Sequence, residues 1–425
     1  MPFFPCAHAG HSQWQHATRQ VIVQLKAQIS MQQLNHEPCL GVVYVSQAYA
    51  PHAAGIFRLL AQSLPHVRQW TGCAAEAVLG GDMDYGASSA LAVMLPCLEE
   101  SQYRIFAAGS MPPVDDPELA GSVAMVHGEA RHAGIEQQLA LLQAALQGGQ
   151  VVGGLSALVD ARMPTAPGGP WRTTMPASLG GTAGVQEGLS GVLLSRSVPM
   201  LTMSMQGCRP QGTSFKATRV DGECLLELDG QPALDVLMER LELGSVMAAP
   251  RPDADVIWSK VQQTLLAISP QALTTDGKCL EPQSRVLPIL GLDPVRRAIL
   301  LGAHLPCGYA VTLCQRDEQA VLVDIRRACA EISEALVPEL AWASGTDSAA
   351  PQPHGYSICG AIYVRSQRRQ TLPRSAHIDQ ELQLIRHALG PVPLLGFTSA
   401  REVQGSALQH LSAQLIVFIQ PVQPL

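Results

Sequence analysis

One arrangement of residues recurs near both ends of the chain and constrains its fold more than any single motif. The apolar run GVVYV (41–45) reads as a buried strand, and Ala53, Ile56, Phe57, Leu60 and Leu64 follow it at helical spacing. A glycine-bearing turn, TGCAAEAVLGG (71–81), and a second strand, LAVML (91–95), complete the unit. Near the C-terminus AIYV (361–364) is a strand, Ile378, Leu382, Ile385 and Leu389 form a helical face, and LLGFTSAREVQG (394–405) precedes the strand LIVFI (415–419). Nineteen positions separate Gly72 from Leu91, and nineteen separate Gly396 from Leu415. Equal order and equal spacing predict one strand–helix–turn–strand unit used twice. A partial third copy lies between them: Ile135, Leu139, Leu142 and Leu146 on one helical face, the glycine turn GQVVGGLSALVD (149–160), then GVLLS (191–195). Its longer interval contains Arg162 to Gly184, rich in Pro, Gly and Thr, which reads as a surface insertion.

After Gly207 the pattern changes. FKATRV and CLLELDG flank Asp221-Gly222 as a β-hairpin, Pro232 opens a short helix through Arg240, and Asp317 is placed to cap a helix to Leu336. That helix buries Val321, Ile325, Cys329, Ile332 and Leu336, and 337–353 is a loop or linker. With 425 residues the chain exceeds one ordinary core, so the main boundary is placed near residue 207. The expected fold class is α/β: mixed β-sheets flanked by helices, in two related halves whose duplicated turns line a central groove.

Composition removes whole classes of function. A hydrophobic fraction of 47% against 15% charged residues excludes a largely disordered chain. The formal charge of −7 lacks the basic excess that nucleic-acid binding shows. No secretory leader and no apolar run of membrane-spanning length are present, which predicts a cytoplasmic chain without membrane association. The 11 cysteines follow neither disulfide nor zinc spacing, so no metal site is assigned. Neither a phosphate-binding loop nor a dinucleotide fingerprint occurs.

Several segments, in this order, resemble the FIST family of sensory domains. GCAAEAVLGG (72–81) and VVGGLSA (151–157) are similar to the two turns of a FIST N-terminal half. QGCRPQG (206–212), LELDGQPALDVL (226–237), GLDP (291–294), Arg316-Asp317-Glu318 and PLLGFTSARE (393–402) are similar to the C-terminal half. Ala77 and Arg401 stand where those turns usually carry glycine, and YVRSQRR (363–369) lacks the cysteine often found there. The resemblance implies a stand-alone FIST protein, with an N-terminal-like domain over 36–206 and a C-terminal-like domain over 207–425. It also implies an intracellular signal-transduction role as a small-ligand sensor, the ligand an amino acid or related metabolite. Within the family some members recruit substrates to ubiquitin ligases, and a subgroup binds haem and senses nitric oxide.

Candidate ligand contacts follow from the related turns: Gly72, Cys73, Glu76, Gly153, Gly154, Cys208, Arg209, Phe397, Arg401 and Glu402. Glycine turns expose backbone amides that hold anions, although the same glycines serve a tight turn equally well. Glu76 and Glu402 would face an ammonium group, and Arg209 with Arg401 would clamp a carboxylate. No dedicated histidine partner marks Cys73 or Cys208 as a nucleophile, so no catalytic residue is assigned and the chain is read as non-enzymatic. Two alternatives stand beside the sensor. One is a haem-binding nitric-oxide sensor, since 13 histidines are available; otherwise no cofactor is expected. The other is an adaptor docking a signalling protein through 162–184 or the basic run Arg365, Arg368, Arg369 and Arg374, which otherwise reads as a solvated loop.

Overall fold

A computed structural model describes residues 3–32, 37–106, 111–132, 134–156, 178–180, 188–243, 254–270, 280, 284–337, 355–367 and 377–422. Most of the 162–184 insertion, most of the 337–353 loop, and Arg368, Arg369 and Arg374 lie outside these residues; Ser178–Gly180 forms a short strand antiparallel to Gln69–Ala75. The chain divides into two compact units. The first contains residues 1–203, 326–408 and 413–425; the second contains 204–325 and 409–412. The N- and C-terminal segments of similar pattern therefore belong to one unit.

The first unit is α/β with mixed sheets, as expected. Three of its segments share one pairing plan. In the first, strand Leu40–Ser46 lies parallel to Gln69–Ala75, reached through helix Ala53–Ser63, and antiparallel to Ala90–Met94. In the second, Val123–Glu129 lies parallel to Gln150–Ser156, after helix Ile135–Ala145, and antiparallel to Ser190–Leu194. In the third, Tyr356–Ser366 lies parallel to Leu394–Ser399, after helix Gln380–Leu389, and antiparallel to Ala413–Pro421.

The leading strand of the first segment is buried on both faces, which is why GVVYV is continuously apolar rather than alternating. Val43 and Val45 pack under Leu25, Ile56 and Leu60 of two helices. Val42 and Tyr44 point the other way, into a core shared with Met125 and Val152 of the second segment and with Val364 and Phe397 of the third. Three inner faces meet in one interior.

The glycine motifs are strands rather than turns, which corrects the sequence expectation. Gly72 and Cys73 lie inside Gln69–Ala75, Gly153 and Gly154 inside Gln150–Ser156, and Gly396 and Phe397 inside Leu394–Ser399. Gly72, Gly153 and Gly396 face Val43, Val126 and Tyr363 across their parallel pairs. A Cβ on them would lie 1.7, 2.2 and 2.0 Å from the partner carbonyl oxygens. Gly72 and Gly153 also adopt φ of +148° and +130°, a region that a side chain disfavours. Glycine is required for close approach of two backbones, and composition cannot distinguish that need from a turn.

A second correction concerns Ile378. It belongs to the strand His377–Ile378 and is 57% exposed, because Asp379 caps the helix with its carboxylate accepting from Leu382 N and so sets the start at Gln380.

The second unit carries the expected hairpin, Phe215–Asp221 with Cys224–Leu228, Gly222 at φ +60°. The short helix runs from Ala233 to Arg240 behind Pro232. Cys208–Pro210 and Thr264–Ser269 both pair antiparallel with Ala310–Arg316. Asp317 caps the following helix, accepting from Gln319 N at 2.8 Å.

Candidate functional site

The shared interior of the first unit is where most of the expected ligand contacts converge. Tyr44 comes from the first leading strand and His127 from the second, and both are fully buried. Tyr44 Oη lies 3.0 Å from His127 Nε2, and Thr71 Oγ1 lies 3.4 Å from Nδ1. A hydroxyl can donate or accept, so either imidazole tautomer finds both its ring nitrogens engaged. Phe397 closes the group, its ring 4.6 Å from that of Tyr44 and 5.9 Å from that of His127. Burial pushes the imidazole pKa down to about 3, so His127 is neutral around pH 7. The Tyr44 phenol is held well above its ordinary value, by burial first and by neighbouring Cys73 second.

Cys73 is the cross-strand partner of Tyr44 and is fully buried. Burial raises its thiol, with the Ser156 hydroxyl acting weakly the other way. Cys6, Cys97 and Cys359 are likewise pushed up to about 12 by burial. A thiol so raised has almost no thiolate at neutral pH, which disfavours it as a nucleophile.

Gly154 stands opposite both His127 and Glu402. A Cβ there would meet Ser399, Val364 and Phe397 within 2.8 to 3.2 Å. Ser399 Oγ donates to Glu402 Oε1 at 2.6 Å, and Glu402 is fully buried. Gln414 bridges the neighbouring pair, accepting from Gly153 N at 2.9 Å and donating to Val403 O at 2.5 Å. Sequence reasoning named Cys73, Gly153, Gly154, Phe397 and Glu402 here, together with Gly72 on the strand of Cys73, but missed Tyr44, Thr71, His127 and Gln414. A lone His or Gln in a strand gives no spacing signal.

The remaining residues fall elsewhere. Glu76 is exposed in the short turn between two strands. Arg401 is part-exposed, with Glu136 at 3.9 Å. Cys208 and Arg209 belong to the second unit, where Arg209 Nε reaches Asp317 Oδ2 at 3.4 Å.

On the opposite face of strand Tyr356–Ser366 the first unit holds an ionic cluster. Arg365 is 1% exposed, which corrects its reading as part of a solvated basic loop. Its guanidinium bonds Asp84 Oδ2 at 2.5 Å and Asp379 Oδ2 at 2.8 Å, with Glu381 Oε2 at 3.4 Å. Tyr363 Oη donates to Glu381 at 2.6 Å, and Gly86 N donates to Asp84 at 2.7 Å. Burial opposes the guanidinium charge, but Glu381, Asp379 and Asp84, with Tyr363, outweigh it and raise the pKa overall. Asp84, His377 and Asp379 also offer ligand atoms within 4.8 Å of one another. Arg365 already bonds both aspartates, so the guanidinium takes the position of a cation.

With this geometry in place, comparison with known proteins decides the family. The FIST N domain matches residues 39–231 and the FIST C domain residues 233–403, together most of the chain. The chain belongs to the FIST family. FIST domains are associated with sensory signal transduction. Similar curated proteins include the uncharacterized protein Rv0628c of Mycobacterium tuberculosis, 27% identical over 238 residues, which are 55% of this chain and 54% of that protein. Another is the uncharacterized protein Mb0898c of Mycobacterium bovis, 25% identical over 243 residues, 56% of this chain and 55% of that one. The FIST chain thus aligns with about half the length of these relatives. Among its described residues no helix is long and apolar enough to cross a membrane.

Proposed function

We propose that this FIST protein is a cytoplasmic ligand-sensing module without chemistry of its own, responding to a small molecule such as an amino acid or related metabolite and passing the signal to a protein partner. The observation that carries this reading is the polar interior of the first unit. Its groups come from three segments, are hydrogen-bonded to one another, and are neutral or raised in pKa rather than activated. Such a set can exchange partners with a ligand but has no poised nucleophile or base. The FIST N and C matches supply the sensory context.

Thermal-shift screening against amino acids, small carboxylates and haem tests it, because a ligand bound only by the folded state raises Tm whatever its chemistry. A cognate amino acid is expected to raise Tm, with the rise reduced in Tyr44→Phe. If no member of the panel moves Tm, the sensing reading is lost. The haem alternative needs a histidine with a ring nitrogen free for iron, and His127 has both engaged. A Soret band that appears on haem addition and survives in His127→Gln would revive it through another histidine.

A further inference from the structure

The QGC segment of the second unit is not used by the interior described above, yet it has the form of a ligand seat. The backbone amides of Gln206 and Gly207 converge on a single oxygen, Asp324 Oδ2, at 2.8 and 3.1 Å. Gly207 has φ +64°, the left-handed conformation that turns consecutive N–H groups toward one anion. Beside it, Gln206 Nε2 donates to Ser284 O at 2.9 Å, while Gln206 Oε1 and Ser284 Oγ have no hydrogen-bond partner among the described residues. Gln206 is 3% exposed and Ser284 0%, so both orphaned groups are shut away from water. A buried acceptor without a donor destabilises the fold, which marks the place as built for a further group.

We infer that the Gln206–Gly207 amides are a carboxylate seat, closed by the protein's own Asp324, and that a small amino acid displaces Asp324. The ligand carboxylate takes the two amides, and its ammonium donates to Gln206 Oε1 and Ser284 Oγ. This deepens the ligand-sensing reading and rests on it. The seat explains the ligand class by chemistry: an anion for the amides, N–H donors for the orphaned oxygens.

Asp324→Asn is the direct test, because the carboxamide oxygen still accepts from both amides but loses the charge that makes the native plug strong. Glycine binding is measured by titration calorimetry in both forms. It is expected to be about ten-fold tighter in Asp324→Asn, the difference between a charged and a neutral acceptor. Acetate and methylamine should each bind more weakly than glycine, and Gln206→Ala should remove glycine's margin over acetate. Equal glycine affinity in the two forms, or binding in neither, overturns the seat. Should Asp324→Asn fail to fold, the amide resonances of Gln206 and Gly207 in the native protein must move on glycine addition; unmoved resonances overturn it equally. A different ligand that stabilises both forms alike would remove the seat while leaving the sensing reading intact.

Discussion

The strand Tyr356–Ser366 carries two buried polar clusters, one on each face, and they are stabilised in opposite ways. Toward the shared interior, Val364 belongs to the same core as Tyr44, whose hydroxyl meets His127 and, through it, Thr71, a group without net charge. Toward helix Gln380–Leu389, Arg365 gathers three carboxylates, Asp379 and Glu381 at the start of that helix and Asp84 from a distant segment. A neutral cluster loses little when one hydroxyl goes, since the desolvation at stake is that of a dipole. An ionic cluster that loses its central charge leaves several like charges facing one another in a poorly solvated place. Burial alone therefore does not set the cost of a polar substitution; the charge left behind does.

The largest effect expected is that of Arg365→Met, about 3–5 kcal/mol of lost stability in urea unfolding. A loss under about 1 kcal/mol would show that water or another cation reaches Asp84 and Asp379, and the contrast would collapse. Acid comes next. The unfolded His127 titrates near 6.5 and the folded one near 3, so between these values the unfolded chain binds a proton that the native state does not. The His127 contribution is thus intact above pH 6.5 and is lost as pH falls toward 3, by about 2 kcal/mol between pH 7 and 5. The pH slope of unfolding should flatten by that amount in His127→Gln; an unchanged slope would mean that His127 is not neutral and buried. Tyr44→Phe removes one partner of His127 and should cost about 1–2 kcal/mol, read as a lower urea midpoint at constant m. At the small end, Arg401→Ala separates a part-exposed pair with Glu136 and should change stability by under about 0.5 kcal/mol. A larger loss would mean that Arg401 makes contacts beyond that ion pair.

How much of this was readable beforehand varied with the range of the interaction. Helix and strand placement in the repeated segments followed from local periodicity, and so did the Asp221-Gly222 hairpin and the Asp317 cap. Ile378 failed because a cap at Asp379 outranks one more apolar residue at helical spacing. The glycine motifs were found but misread, since Gly72 opposite Val43 is needed for backbone contact across a sheet. Of the interior cluster, Cys73, Phe397 and Glu402 were named from motifs, whereas Tyr44 and His127 carried no local mark. Arg365 was misread outright because RSQRR looks like any basic loop.

The sequence by itself determined what neighbours along the chain can enforce: which runs are strands, which faces of helices are apolar, where turns and caps fall. Only the tertiary structure decided which polar residues would be buried together. Tyr44 meets His127 across 83 residues and Arg365 meets Asp84 across 281, because three sheets pack their faces into common cores. Hydrophobic periodicity fixes that a side chain points inward, but whether inward means a hydroxyl, an imidazole or a carboxylate ahead is set by packing between distant segments.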